Sequence, residues 1–318
     1  MAQSYRSKWQ KFSKREWSEL RDDWVAYVPT FPTIGARPDP GLENLASLVK
    51  IDLPSVNPGY KREPNVEGVR RNVLWEAVFL FHKCSHTNLA AQRLGQQGMH
   101  SWSMFNAYHS AYLGARGIMA LLGIALPKLK GEQTAIDLFI KPESRTKLKN
   151  LRALGLSQFQ EFLIVRLPRV EQRFLWEAFQ HVLEISQADC LNPSLRRELL
   201  NLSFEDITPP RNHFLYQAHY WLFNDLTNDA SGNELDVLVG TSLDPSDEAF
   251  LLRLSFSVYC LFEQLIRDLA ENSTAIKMQI DGSRFLLGSD VPETERYKAF
   301  LSQAFLQVGA TNETRTTT

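Results

Sequence analysis

The segment TPPRNHFLYQAHYWLFNDL, residues 208–226, contains groups that could act on a phosphate. Its two consecutive prolines are suited to the start of a helix. Arg211 and Asn212 would then lie in the first turn, near free backbone N–H groups and the positive end of the helix dipole. A cation is disfavoured there unless an anion is close, so this placement favours a contact between Arg211 and a phosphate.

A histidine follows on the same predicted helix. Residues at alternating three- and four-residue steps form one apolar stripe that carries two polar members, Asn212 and His219, with Tyr216 beside them. A histidine that shares a cleft with an arginine can move a proton next to a stabilised phosphate. The alternative is structural: His219 would hydrogen-bond within the core and Arg211 would cap a neighbouring helix.

A second pair of residues suggests a weaker candidate site. His109 and Arg116 are seven residues apart and therefore share one face of a predicted helix. They are secondary candidates for site residues. The alternative is that they serve as polar groups that tether one helix to another.

Other chemistries find little support in the sequence. His82 and His86 lie one helical turn apart and could both reach a metal, but Cys84 would point away from their face and no second ligand cluster follows. There is also no phosphate-binding loop, dinucleotide-binding glycine motif, nucleophile elbow or H-E-x-x-H motif. We therefore predict neither a metal site nor a cofactor.

These candidate residues lie in a chain with strong helical patterning. From Arg70 onward the apolar residues recur at three- and four-residue steps, which predicts an antiparallel hairpin of two long helices, the second rich in aromatic and small residues. One short segment, 276–287, is instead predicted as a β-hairpin around Asp281-Gly282. Further helices are predicted near 143–153, 157–166, 169–187, 194–202, 209–227, 245–271 and 293–307.

The ends of the chain differ from this helical region. Residues 1–28 suggest one amphipathic helix that docks by its aromatic side chains, or alternatively contacts phosphate or a membrane surface through its basic residues. Residues 29–68 contain seven of the 15 prolines and predict an irregular arm. We thus expect an N-terminal helix and arm over 1–68, one all-α helical-bundle domain over 69–308 and a disordered tail over 309–318.

Composition indicates a globular, cytoplasmic protein. The 318 residues are 44% hydrophobic and 22% charged, with a net charge of −1, so any nucleic-acid site would have to be a local basic patch. The longest uncharged apolar stretch, 117–127, is too short to span a bilayer, which predicts that the chain has no membrane partner. The three cysteines are widely spaced, as is typical of packed, reduced thiols.

Two features resemble one family of helical proteins. The segment WSMFNAYHSAYLGARGIMALLGI, residues 102–124, is similar to the second helix of HEPN (higher eukaryotes and prokaryotes nucleotide-binding) domains, and an Arg-Asn pair opens a later helix, as in that family. The resemblance covers about residues 70–227. It implies a helical bundle acting on RNA or a nucleotide, as a metal-independent endoribonuclease or a toxin-type effector in a defence system, with a composite site formed by a homodimer.

The resemblance also assigns roles to the candidate residues. It implies that His219 acts as the acid and base, Arg211 stabilises the phosphate, and Asn212 and Tyr216 orient it. The family motif places its histidine four to six residues after the Arg and polar pair, whereas His213 comes earlier than that and His219 one position later. A catalytically inactive helical scaffold or sensor subunit, which holds a protein partner with its N-terminal helix and proline-rich arm, is therefore the alternative.

Overall fold

A computed structural model describes residues 12, 14–27, 60–64, 67–129, 132–140, 145–154, 156–167, 172–203, 206–207, 243 and 250–280. These residues are mainly helical, as the sequence predicted. The longer helices are α1 (Trp17–Tyr27), α2 (Glu67–Gln96), α3 (His100–Leu121), α4 (Arg145–Ala153), α5 (Gln172–Ile185), α6 (Pro193–Asn201) and α7 (Phe250–Asn272).

Helices α2 and α3 form the predicted antiparallel hairpin. Ser103 Oγ donates to the carbonyl of Ala91 at 2.7 Å, and Ser110 Oγ donates to the carbonyl of Cys84 at 2.9 Å. Later residues of α3 therefore contact earlier residues of α2, as in an antiparallel pair. The reversal takes place over a tight turn in which Gly98 has a φ of +77°, a conformation that glycine adopts without strain.

Helix α7 packs against this hairpin through the small residues of α3. A Cβ atom at Gly114 would lie 2.7 Å from Cγ1 of Val258, and one at Gly117 would overlap the ring of Phe262. The absence of side chains at these two positions lets the helices approach closely. Most residues of α7 are buried, so this helix runs through the core.

The all-α prediction is wrong because the chain also builds a five-stranded antiparallel sheet. Its long central strand follows α3 in the sequence, and six consecutive residues of this strand, Thr134 to Phe139, are buried. A short run buried on both faces lacks the alternation on which strand recognition depends. The strands are β2 (Tyr60–Pro64), β3 (Ile124–Ala125), β4 (Lys128–Leu129), β5 (Glu132–Ile140) and β6 (Glu161–Arg166), in the order β2-β6-β5-β3 with β4 also on β5.

Two local predictions also need correction. The helix predicted over 157–166 is instead strand β6, whose apolar run Phe162 to Val165 is buried between β2 and β5. The β-hairpin predicted over 276–287 is wrong in its first arm, because residues 274–280 are helical. Ile276 and Ile280 are buried four residues apart, which is the helical period; residues 281–287 lie outside the described residues.

The N-terminal segment belongs to the core. Residues Arg15–Glu16 form strand β1, which pairs in parallel with β7 (Ser186–Gln187) before α1 begins. The single helix predicted over residues 1–28 is therefore wrong at residues 15–16, and α1 starts at Trp17. Within α1, the predicted docking by aromatic side chains is confirmed, since Trp24 is fully buried and its Nε1 donates to the carbonyl of Leu121 at 2.9 Å. Strand β2, within the predicted irregular arm, is an edge strand, where a proline such as Pro64 is tolerated.

The remaining predictions divide into two groups. Helices near 143–153, 169–187, 194–202 and 245–271 are confirmed where the structure describes them. The predicted helices over 209–227 and 293–307 and the predicted tail over 309–318 lie outside the described residues. Within the described part of the chain, no helix combines the length and apolarity needed to cross a bilayer.

Candidate functional site

The four residues predicted to be catalytic are not among those that the structure describes. Arg211, Asn212, Tyr216 and His219 all lie between residue 207 and residue 243. The nearest described residue before them, Ile207, is buried against the helical core. Their predicted roles therefore stay predictions.

Arg116, a secondary candidate, forms an ion pair across the helical hairpin. Its Nη2 lies 2.7 Å from Oε1 of Glu76 on α2, and both side chains are largely buried. Burial raises the pKa of Glu76, while the positive charges of Arg116 and Lys83 lower it. A cavity beside the pair is lined by Ala120, Ala125 and Leu126 and has a volume of about 10 Å³. Such a space holds about one water molecule. Because the ion pair joins α2 to α3, it serves as a tether between the two helices.

His109, the other secondary candidate, has a different environment. It lies about 10 Å along α3 from Arg116, since seven residues span two helical turns. Its side chain is exposed, and its ring centroid lies 4.4 Å from that of Phe105. Trp102 lies against the other side of Phe105, at 5.9 Å, and is 45% exposed. We call Trp102, Phe105 and His109 the aromatic row.

The aromatic row occupies the outer face of the helix on which the resemblance mainly rests. The opposite face of α3 is buried through residues such as Met104, Ala107 and Ala111. The packed face therefore holds the rings of the aromatic row at fixed spacings on the surface. Exposed rings at such spacings can stack against nucleic-acid bases.

His82, His86 and Cys84, which the sequence analysis weighed as metal ligands, do not form a shared site. His86 is exposed and His82 is half-buried, whereas Cys84 is fully buried and its Sγ lies 3.4 Å from Oγ of Ser110. Burial raises the pKa of Cys84 to about 12. No group of three His, Cys, Asp or Glu side chains positioned to hold a metal ion occurs among the described residues.

The sequence analysis missed one strongly charged element, helix α4. Its sequence, RTKLKNLRA, contains four cationic residues and no acidic one. Thr146, Lys147, Lys149 and Asn150 are exposed. The sequence analysis required any nucleic-acid site to be a local basic patch. Helix α4 provides such a patch, and its Lys and Arg residues could have been noticed in the helix predicted near 143–153.

Comparisons with family models, with curated proteins and with solved structures found no match to this chain.

Proposed function

We propose that this protein is an RNA-directed, HEPN-like helical protein that cleaves RNA without a metal ion. The aromatic row carries the proposal. It lies on the helix whose sequence resembles the family, and it presents the exposed rings of Trp102 and His109 on either side of the half-buried Phe105. Aromatic side chains arranged in this way bind unpaired bases by stacking, which is how proteins most often hold single-stranded RNA.

The proposed chemistry uses the side chains of the Arg and His motif. His219 removes the proton from a ribose 2′-hydroxyl, whose oxygen attacks the adjacent phosphorus. Arg211 stabilises the negative charge of the phosphate, and Asn212 and Tyr216 orient it. The bond to the 5′-oxygen breaks as that oxygen takes up a proton, so the products carry a 2′,3′-cyclic phosphate and a 5′-hydroxyl. A second copy of the chain supplies the other half of the site, as the resemblance implies.

The decisive experiment combines two substitutions at the proposed catalytic residues. In the Arg211→Ala, His219→Gln double variant we expect cleavage of single-stranded RNA to disappear while the melting temperature stays close to that of the parent. Wild-type cleavage should persist with a chelator present and should leave 2′,3′-cyclic ends. Unchanged cleavage by a folded double variant would end the catalytic proposal, and activity of a strict monomer in sedimentation would contradict the composite site.

The aromatic row has its own test with a matched control. Trp102→Ala removes an exposed ring of the row, whereas Phe79→Ala removes a ring of α2 that is 39% exposed. Loss of one stacked base costs about 1–3 kcal/mol of binding free energy, so the first substitution should weaken RNA binding and the second should not. Equal effects of the two substitutions would remove the observation on which the proposal rests.

The alternative, an inactive scaffold or sensor subunit, was predicted to hold a partner with its N-terminal helix and proline-rich arm. Leu20 and Trp24 of α1 are buried in the protein's own core, so these two residues are not available to a partner. Most of the proline-rich arm lies outside the described residues. Protein binding by the aromatic row without any RNA binding would support this alternative.

A further inference from the structure

Helix α4 carries an unusual concentration of positive charge. Four of its nine residues are Lys or Arg, and none of its first turn is acidic. The dipole of a helix disfavours cations in the first turn unless an anion compensates them. In a chain whose net charge is −1, such a helix forms a local region that is complementary to a polyanion.

The cationic residues are ordered by the helical period. Arg145, Lys149 and Arg152 follow one another at steps of four and three residues and so share one face. They span about 10 Å along the axis, since each residue advances a helix by about 1.5 Å. Leu151 lies on a different side of the helix from these three residues. We call Arg145, Lys149 and Arg152 the basic stripe.

The one stripe residue whose side chain the structure describes is in contact with solvent. Lys149 is exposed, and the other described elements contact α4 only sparsely. The fourth cation, Lys147, is on the opposite side from the stripe, and its Nζ lies 3.6 Å from Oε1 of Glu161 at the start of β6. This ion pair between exposed groups contributes little to stability and does not involve the stripe.

We infer that the basic stripe binds the phosphate backbone of single-stranded RNA, an inference that rests on the proposed function. Lys and Arg contacts to phosphates supply affinity that is independent of sequence and sensitive to salt. A membrane surface is a poorer fit. An interfacial helix buries a continuous apolar face in lipid. Among the leucines here whose side chains the structure describes, Leu151 is already half-buried in the protein, and Leu154 and Leu156, which are exposed, come after the helix.

The inference is tested by binding rather than by cleavage. The probe is fluorescently labelled 2′-O-methyl polyuridine, which lacks the attacking hydroxyl and cannot be cleaved by the proposed chemistry. The test variant is Arg145→Gln, Lys149→Gln, Arg152→Gln. The control, Lys83→Gln, Arg197→Gln, Lys277→Gln, removes the same charge from exposed positions on other helices.

We expect the stripe variant to bind roughly tenfold more weakly at low salt, with the control close to wild type. The slope of log Kd against log salt should fall by about 2, since each phosphate contact on a single strand contributes about 0.7. Binding is measured by fluorescence anisotropy, and circular dichroism verifies that both variants are folded.

Each other outcome has a distinct meaning. Equal weakening in both variants would show that net charge alone matters, and no weakening in either would exclude the stripe; both results would overturn the inference. It would likewise be overturned if the chain bound phosphatidylserine vesicles through the stripe and ignored RNA. If binding depends on the stripe but unmodified RNA is never cleaved, the inference stands and the catalytic proposal fails.

Discussion

Cys190 is a half-buried thiol whose surroundings make it unreactive. Burial is the main cause that raises its pKa to about 12, and the negative charge of Asp268 adds to the effect. Asp268 is held in place by Trp17, whose Nε1 donates to it at 2.6 Å, and by Arg21 at 3.2 Å. Cys84 and Cys260 are buried more completely, and burial also raises their pKa values. The thiols therefore serve packing and not nucleophilic chemistry.

This environment predicts the pH dependence of alkylation. Because the thiolate is the reactive form, Cys190 in the folded protein should react with iodoacetamide more slowly at pH 9 than in urea, by on the order of a hundredfold. Its rate should rise about tenfold per pH unit over the pH range in which the protein stays folded. Mass spectrometry of timed samples measures the rate, with the urea-unfolded chain as the control. Equal rates in the folded and unfolded protein would contradict the assigned environment.

At the scale of elements, α3 is the central helix of the structure because its sides serve different purposes. One side packs against α2 through hydrogen bonds from Ser103 and Ser110, and another accepts α7 at its two glycines. The outer side presents the aromatic row. A change at the α7 contact should therefore disturb stability, whereas a change in the aromatic row should disturb binding.

Gly117→Ala tests the close approach of α3 and α7. The added methyl group overlaps the ring of Phe262, and overpacking of this kind costs about 1–3 kcal/mol, which exceeds the gain of up to about 1 kcal/mol from replacing glycine in a helix. We expect a lower free energy of unfolding in urea. Phe262→Leu removes the ring edge that the new methyl group overlaps. It should therefore cost less free energy of unfolding in the Gly117→Ala variant than in the wild-type protein. Full stability of Gly117→Ala would show that the two helices do not pack this tightly.

At the scale of the whole molecule, the N-terminal segment links the helices to the sheet. The guanidinium of Arg15 donates to both carboxylate oxygens of Asp137 on β5, at 3.2 and 2.8 Å, and to the carbonyl of Leu122 at 2.9 Å. The side chains of Arg15 and Asp137 are each 1% exposed. Farther along, Arg70 of α2 pairs with Asp23 of α1 at 2.9 Å, and Ser157 donates to the same carboxylate. Deletion of residues 1–28 would therefore unfold the protein. Loss of function in such a variant could not distinguish an inactive scaffold from an enzyme.

Arg15→Ala tests this link against a matched arginine. Removing Arg15 leaves the carboxylate of Asp137 buried without its partner, which costs about 3–5 kcal/mol. Arg21→Ala, in the same segment, breaks a partly buried pair with Asp268, whose carboxylate keeps its hydrogen bond from Trp17, so the loss should be smaller, about 1 kcal/mol. Urea denaturation should show a large loss for the first variant and a small one for the second. Similar losses would mean that the Arg15 pair is not the main connection between the N-terminal segment and the sheet.

The sequence by itself determined the long helices and much of their packing. The regular apolar steps of α2, α3 and α7 predicted their positions, because this pattern depends on residues within one or two helical turns. The small residues of α3 are also visible in the sequence, and two of them, Gly114 and Gly117, are where α7 approaches closely. The docking of α1 by its aromatic side chains was predicted for the same reason. The basic stripe could also have been found, since it needs only helical spacing and residue charge.

The tertiary structure alone decided the sheet, the N-terminal ion pair and the surroundings of each candidate. Strands β5 and β6 lie inside the core, so their apolar runs carry no alternation that distinguishes a strand from a helix. The pairing of Arg15 with Asp137 joins residues 122 positions apart, and no local pattern encodes such a contact. Likewise, Arg116 and His109 share a helical face in the sequence, yet Glu76 holds the first in an ion pair while the second lies exposed beside Phe105. Sequence spacing places two residues on one face of a helix, but only the elements packed against that helix in the folded protein determine what the face contacts.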